Sequence, residues 1–200
     1  MPTSPLPYIM AHRGNSAFAK ENTIAAFEQA IALGADGVEF DVRATQDQVL
    51  IIHHDPDVAG QRISESPWSQ LKALDPDLPT LAETIACCHG RIQMDVELKE
   101  PGYEAAVVQH LQDLPLNSFV VTSFKLETLI AVKQIAPAIS VGFLVEPETM
   151  QAWSSAAELG DCLQAGGINF IAPHWQMVGT EWLAHCSTHV PTPIPWWVWT

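Results

Sequence analysis

The chain has 200 residues, 48% of them hydrophobic, and sets 23 acidic side chains against 9 basic ones for a net charge of −14. That length and apolar content suffice for one well-buried core, so a single domain over residues 1–200 is expected. The charge argues against a nucleic-acid partner, whose phosphates such a surface repels, but allows a small anionic substrate held by a local cationic site.

In chain order, apolar runs alternate with helical patterns, which points to an α/β chain with parallel strands. A first strand runs over Tyr8–Ala11 and ends on His12-Arg13-Gly14. Asn22 or Thr23 can cap a helix carrying Ile24, Phe27 and Ile31 on one face, with Gly34 as its stop. A second strand covers Val38–Val42, and the apolar run "VLIIHHD" follows it closely. A parallel crossover needs about a dozen residues, more than are available. The two runs must therefore form an antiparallel hairpin turning near Gln46-Asp47-Gln48, which brings residues 53–55 back beside 39–41. Further strands are expected at Gln93–Leu98, Phe119–Ser123, Val141–Val145, Ile168–Ala172 and Trp196–Trp199. Helices are expected at Leu81–Cys88, Tyr103–Leu114, Lys125–Ile135 and Thr149–Leu159. This rhythm favours a TIM-type (β/α) barrel over an open sheet, with the hairpin as an extension after strand two.

Chemistry concentrates on two strands. In "GVEFDV", Glu39 and Asp41 are two apart and share a face, opposite Val38, Phe40 and Val42. "QMDVELKE" repeats the device with Asp95, Glu97 and Lys99. An ion-pair network with Arg43 or Lys99 is the plain structural account, but it offers too few cations for four inward carboxylates. A divalent metal resolves the imbalance, and carboxylate oxygens suit Mg²⁺ or Ca²⁺ better than zinc. His12 at the end of strand one, and His54 returning on the hairpin, form a plausible acid–base pair, with His53 on the opposite face as a structural residue. Arg13 and Lys99 add the fixed positive charge that a phosphate diester requires.

No run of about 18 apolar residues is present, so no integral membrane contact is expected. The N-terminus shows no signal-peptide pattern. Cys87, Cys88, Cys162 and Cys186 form no Cys-x-x-Cys pair, consistent with a reduced, cytoplasmic protein. "HCSTH" (His185, Cys186, His189) lacks the second ligand pair of a zinc site.

The segments "AHRG", "ENTIAAF", "GADGVEFDV", "HHD", "LPTLAE", "VELK" and "SFKLETL", in this order over nearly the whole chain, resemble the glycerophosphodiester phosphodiesterase family. The resemblance implies a TIM-barrel phosphodiesterase releasing glycerol 3-phosphate and an alcohol from a small glycerophosphodiester. The hydrolysis could pass through a cyclic phosphate formed by attack of a glycerol hydroxyl. It implies His12 and His54 as acid and base, Glu39, Asp41 and Glu97 as ligands of Mg²⁺ or Ca²⁺, and Arg13 and Lys99 as phosphate contacts. It also favours Trp199, and less strongly Phe143, as substrate-lining aromatics, with barrel packing as the alternative for Trp199. The chain departs from the family in carrying Lys20 where proline usually precedes Glu-Asn-Thr, and in a shorter segment between His54 and Pro79. Relative to the family it stops at "WWVWT", before the eighth strand and its helix, which predicts an open barrel edge. Two other readings remain at this stage: a phospholipase D-type or lysophospholipid-cleaving relative, and a non-catalytic truncated binding module.

Overall fold

The computed structural model describes residues 8–150, 153 and 155–179. The expected strand Trp196–Trp199, the candidate Trp199 and the "HCSTH" stretch lie outside the described residues. The chain divides into two compact units, one of residues up to Glu97 with His110–Phe119, the other of Leu98–Gln109 and the chain from Val120.

The first unit opens with β1 (Met10–His12), which places His12 inside the strand rather than just after it. Helix α1 (Ile24–Ala32) follows, and Thr23 settles the choice of cap, its side chain accepting from the Ala26 N–H. Ala26, Phe27 and Ala30 form its buried face, whereas Ile24 and Ile31 are only half-buried. Small alanines let the helix approach the sheet closely, and Phe27 meets Phe40 ring to ring at 5.8 Å. β2 (Gly37–Ala44) runs parallel to β1, with His12 level with Glu39. β3 (Leu50–Ile52) then pairs with β2 antiparallel, Val42 opposite Ile52 and Ala44 opposite Leu50. The expected hairpin is thus present, and the His53 N–H donates to the Asp41 carbonyl at 2.9 Å, one residue beyond the strand.

After the hairpin the chain builds a small annex that the sequence reading did not resolve. It comprises β4 (Asp57–Val58), β5 (Gln61–Arg62) and α2 (Trp68–Leu74). Ile51, Val58, Ile63, Leu71 and Leu78 form its own buried cluster, with Val49 and Trp68 packed against it. Helix α3 (Leu81–Cys88) begins with a complete capping box between Thr80 and Glu83. β6 (Gln93–Leu98) completes this part of the sheet, in the order β1-β2-β6 with β3 off β2.

The second unit continues the alternation with α4 (Glu104–Leu111), β7 (Phe119–Ser123), α5 (Leu126–Ile135) and β8 (Val141–Val145). The helix expected at Thr149–Leu159 is two shorter ones, α6 (Pro147–Met150) and α7 (Ala156–Ala165). The cause of the break is local: Ser155 accepts from the Glu158 N–H and starts a new helix. β9 (Phe170–Pro173) ends the described sheet two residues later than expected at its start. β7–β8 and β8–β9 are parallel pairs. Among the described residues, no helix is long and apolar enough to cross a membrane.

Candidate active site

The first unit gathers Glu39, Asp41 and Glu97. All three are buried, and one carboxylate oxygen from each lies within 4.8 Å of the others. Adjacent strands produce this: residues two apart on β2 share a face, and Glu97 sits on the neighbouring β6. Asp95, also buried, is two residues before Glu97 on the same strand. Burial, reinforced by the charges of Asp41, Glu97 and Asp95, pushes the Glu39 carboxyl well above the ordinary carboxylate range. Its Oε1 is buried without a hydrogen-bond partner. An orphaned oxygen in a group of buried carboxylates fits a hard divalent cation, and an all-oxygen donor set suits Mg²⁺ or Ca²⁺.

Arg13 is folded against this group by its own backbone. It adopts φ +59°, a left-handed conformation that non-glycine residues rarely occupy. So placed, its N–H donates to Glu39 Oε2 at 3.0 Å while its Nε lies 3.4 Å from Asp41 Oδ2. Its Nη1 is held by Glu21 at 3.0 and 3.2 Å. Gly14 at φ +79° lets the chain turn away, and a Cβ there would stand 2.8 Å from Ala26. His12 Nε2 lies 3.8 Å from Glu39 Oε2. Burial, then the Arg13 charge, holds the His12 pKa below the ordinary imidazole value, so the ring is neutral at neutral pH.

The hairpin register sets His53 opposite Asp41 through its backbone hydrogen bond, so strict alternation would carry His53, and not His54, to the carboxylate face. Pairing ends at Ile52, however, and the chain bends beyond it. His54 is the histidine whose charge bears on His12. Its Nδ1 contacts Asp55 Oδ1 at 2.8 Å, while His53 Nδ1 contacts the Asp55 carbonyl at 2.9 Å. Arg43 donates through Nε to the carbonyls of His53 and His54 at 3.2 and 2.9 Å.

Lys99 and Phe143 belong to the second unit. Lys99 directly follows β6; its N–H donates to the Tyr103 hydroxyl at 3.1 Å and its Nζ lies 5.8 Å from the Phe124 ring centre. Phe143, in β8, is 2% exposed and meets Trp153 edge to face at 6.5 Å. A separate cavity of about 520 Å³ in the first unit, lined by Phe18, Lys20, Thr23, Lys72, Asp77 and Glu83 among others, includes none of Glu39, Asp41 and Glu97 in its lining. Lys20 there is engaged by Asp75, and Lys72 by the Leu78 carbonyl.

Two residues of the site were not read as such from sequence. Asn22, considered only as a helix cap, is buried against Asp41, its Nδ2 donating to Oδ2 at 2.6 Å. Glu21 holds Arg13. The available signal was position: both lie in the polar stretch between a strand ending on His-Arg and a capped helix.

Comparison with known proteins bears on the family and the fold. A glycerophosphodiester phosphodiesterase from Caldanaerobacter subterraneus subsp. tengcongensis is 29% identical over 174 residues, covering 76% of this chain and 72% of the relative. Human glycerophosphodiester phosphodiesterase 1 is 30% identical over 148 residues, covering 62% of this chain but only 45% of the relative. Among solved structures, the Thermotoga maritima glycerophosphodiester phosphodiesterase superposes with a TM-score of 0.84 at 26% identity, covering 98% of this chain and 87% of that one. A phosphodiesterase from Oleispira antarctica, in complex with the product sn-glycerol-3-phosphate, gives 0.77 at 25% identity over 98% of this chain and 85% of that one. These likenesses establish the α/β, TIM-barrel fold class. The sequence profile of the glycerophosphoryl diester phosphodiesterase family, a family of phosphoric diester hydrolases, matches residues 12–177, and the chain belongs to that family.

Proposed function

We propose that the protein hydrolyses glycerophosphodiesters to glycerol 3-phosphate and an alcohol in a reaction that depends on a divalent metal, Mg²⁺ or Ca²⁺. The observation that carries this reading is the buried group of Glu39, Asp41 and Glu97 with Arg13 and His12 folded onto it. The product named in the Oleispira antarctica complex supports the substrate class. Glu39, Asp41 and Glu97 would hold the cation. When bound, such an ion neutralises phosphoryl charge and polarises the oxygens it touches.

The remaining work falls to this chain's own side chains. Arg13, with Lys99 beyond the end of β6, binds and orients the diester through charge-assisted hydrogen bonds. His12, kept neutral by burial and by Arg13, takes the proton from the attacking hydroxyl, whether of the glycerol or of water. His54, its ring set by Asp55 at Nδ1, returns a proton to the departing alcohol from the other nitrogen. Phe143 backs Trp153, so an aromatic contribution to the alcohol side would be made through that ring. A cytoplasmic location belongs to the same reading and rests on cysteine usage. The test is release of glycerol 3-phosphate from glycerophosphocholine. Release should stop in excess chelator and return with Mg²⁺ or Ca²⁺; undiminished release in chelator overturns the metal role.

A further inference from the structure

Asn22 combines three properties that a helix-capping residue does not need. It is 3% exposed. It sits at φ +56°, although the cap of α1 is Thr23. And it grips Asp41 at two points: Nδ2 donates to Oδ2 at 2.6 Å, and Oδ1 accepts the Asp41 N–H at 3.4 Å. The chemistry allows only this orientation of the amide, because a carboxylate oxygen accepts and a backbone N–H donates. The Asn22 N–H in turn donates to the Arg13 carbonyl at 3.0 Å, which joins one left-handed residue to another. Asp41 Oδ2 thus receives Asn22 Nδ2 and lies 3.4 Å from Arg13 Nε, so the plane of the carboxylate is set from outside the carboxylate group.

We propose that Asn22 is a positioning residue that holds Asp41 in the rotation in which Glu39, Asp41 and Glu97 together accept a divalent cation. The inference rests on the reading of those three carboxylates as a metal site. Groups that hydrogen-bond a metal ligand from behind fix its orientation, and their loss costs about 10- to 100-fold in metal affinity or activity. Asparagine suits the position twice over. It is among the few residues that enter the left-handed region readily, and its carboxamide supplies one donor and one acceptor at the spacing of an Asp backbone and side chain.

The test uses the full chain and two probes, Mg²⁺ and Ca²⁺ alone, titrated calorimetrically. Asn22→Gly removes the carboxamide but keeps a residue at ease at positive φ. It should retain the far-ultraviolet circular dichroism of the parent yet bind both cations about 10- to 100-fold more weakly, with kcat reduced more than KM is changed. Glu39→Gln serves as the reference and should abolish binding. If the parent binds neither cation, the metal reading itself falls. If the parent binds, Glu39→Gln does not, and Asn22→Gly binds as tightly as the parent, the role of Asn22 is overturned while the metal site stands. Should Asn22→Gly fail to fold, the parent protein still decides. The side-chain amide ¹H–¹⁵N resonances of Asn22 should shift on addition of either cation, and their indifference to saturating cation overturns the proposal.

Discussion

Glu39 is a buried carboxyl set among other carboxylates. Its neutral form is favoured by burial and by three neighbouring carboxylates, so its folded pKa stands above its unfolded one. Stability from such a group is fully present below the unfolded pKa and is lost as pH rises through the folded value. The chelated protein should therefore lose thermal stability through this group as pH rises from the ordinary carboxylate range through the raised folded value. Stabilisation by added Mg²⁺ or Ca²⁺ should grow over the same range, because a cation favours the ionised form. His12, lowered by burial, works with the opposite sign, so the comparison that isolates the effect is melting temperature against pH for the parent and Glu39→Gln. A parallel pair of curves would remove Glu39 from the account. Catalysis allows an equally pointed comparison. His12→Ala and His54→Ala should each lower turnover by roughly 10²–10⁴-fold, and His53→Ala far less. Arg43→Lys should also lower turnover, by about 10- to 100-fold, because a lysine cannot grip the carbonyls of His53 and His54 from a planar head. The carboxylates were legible in the sequence because period-two spacing puts charge on one face. Asn22 was not, because its partner is 19 residues away and no local pattern encodes a left-handed residue.

Among the elements, the β1–α1 connection is the most constrained. Gly14 sits at φ +79° with no room for a Cβ beside Ala26, so Gly14→Ala must move either α1 or Arg13. It should cost more than about 1 kcal/mol of stability and lower activity together, read as a falling melting temperature and falling kcat/KM. Thr80→Ala makes a useful contrast. It breaks the capping box of α3, whose hydrogen bonds involve only Thr80 and Glu83, and should cost about 1 kcal/mol with kcat intact. The β2–β3 hairpin was deducible from chain length alone, since too few residues separate the strands for any other connection. The annex over β4, β5 and α2 was not, because two-residue strands and a seven-residue helix carry too little periodicity to register. The division of the expected Thr149–Leu159 helix was encoded, but in a cap at Ser155 that a broader helical pattern concealed.

At the scale of the molecule, a net charge of −14 opposes the approach of any anionic diester. Added salt screens the long-range repulsion, with a Debye length of about 10 Å at 0.1 M, more than it weakens contacts at hydrogen-bonding distance. Raising ionic strength should therefore improve kcat/KM for the anionic glycerophosphoglycerol relative to the zwitterionic glycerophosphocholine. A ratio that stays level or falls would show that the local cationic field, not the global one, governs approach. The general sign of the molecule was readable from composition. Locally that sign is broken at Arg13, whose left-handed backbone aims its head at Asp41.

The hydrogen bond from the Asn22 N–H to the Arg13 carbonyl closes the intervening residues into a loop tied at its base. At its tip, Phe18 is 83% exposed. Gly14 and Glu21, next to the two anchors, govern the placement of Arg13, whereas the exposed tip at Phe18 stands apart from them. A fluorophore or a short inserted peptide at Phe18 makes a handle close to the chemistry, one that leaves the tethered residues where they are.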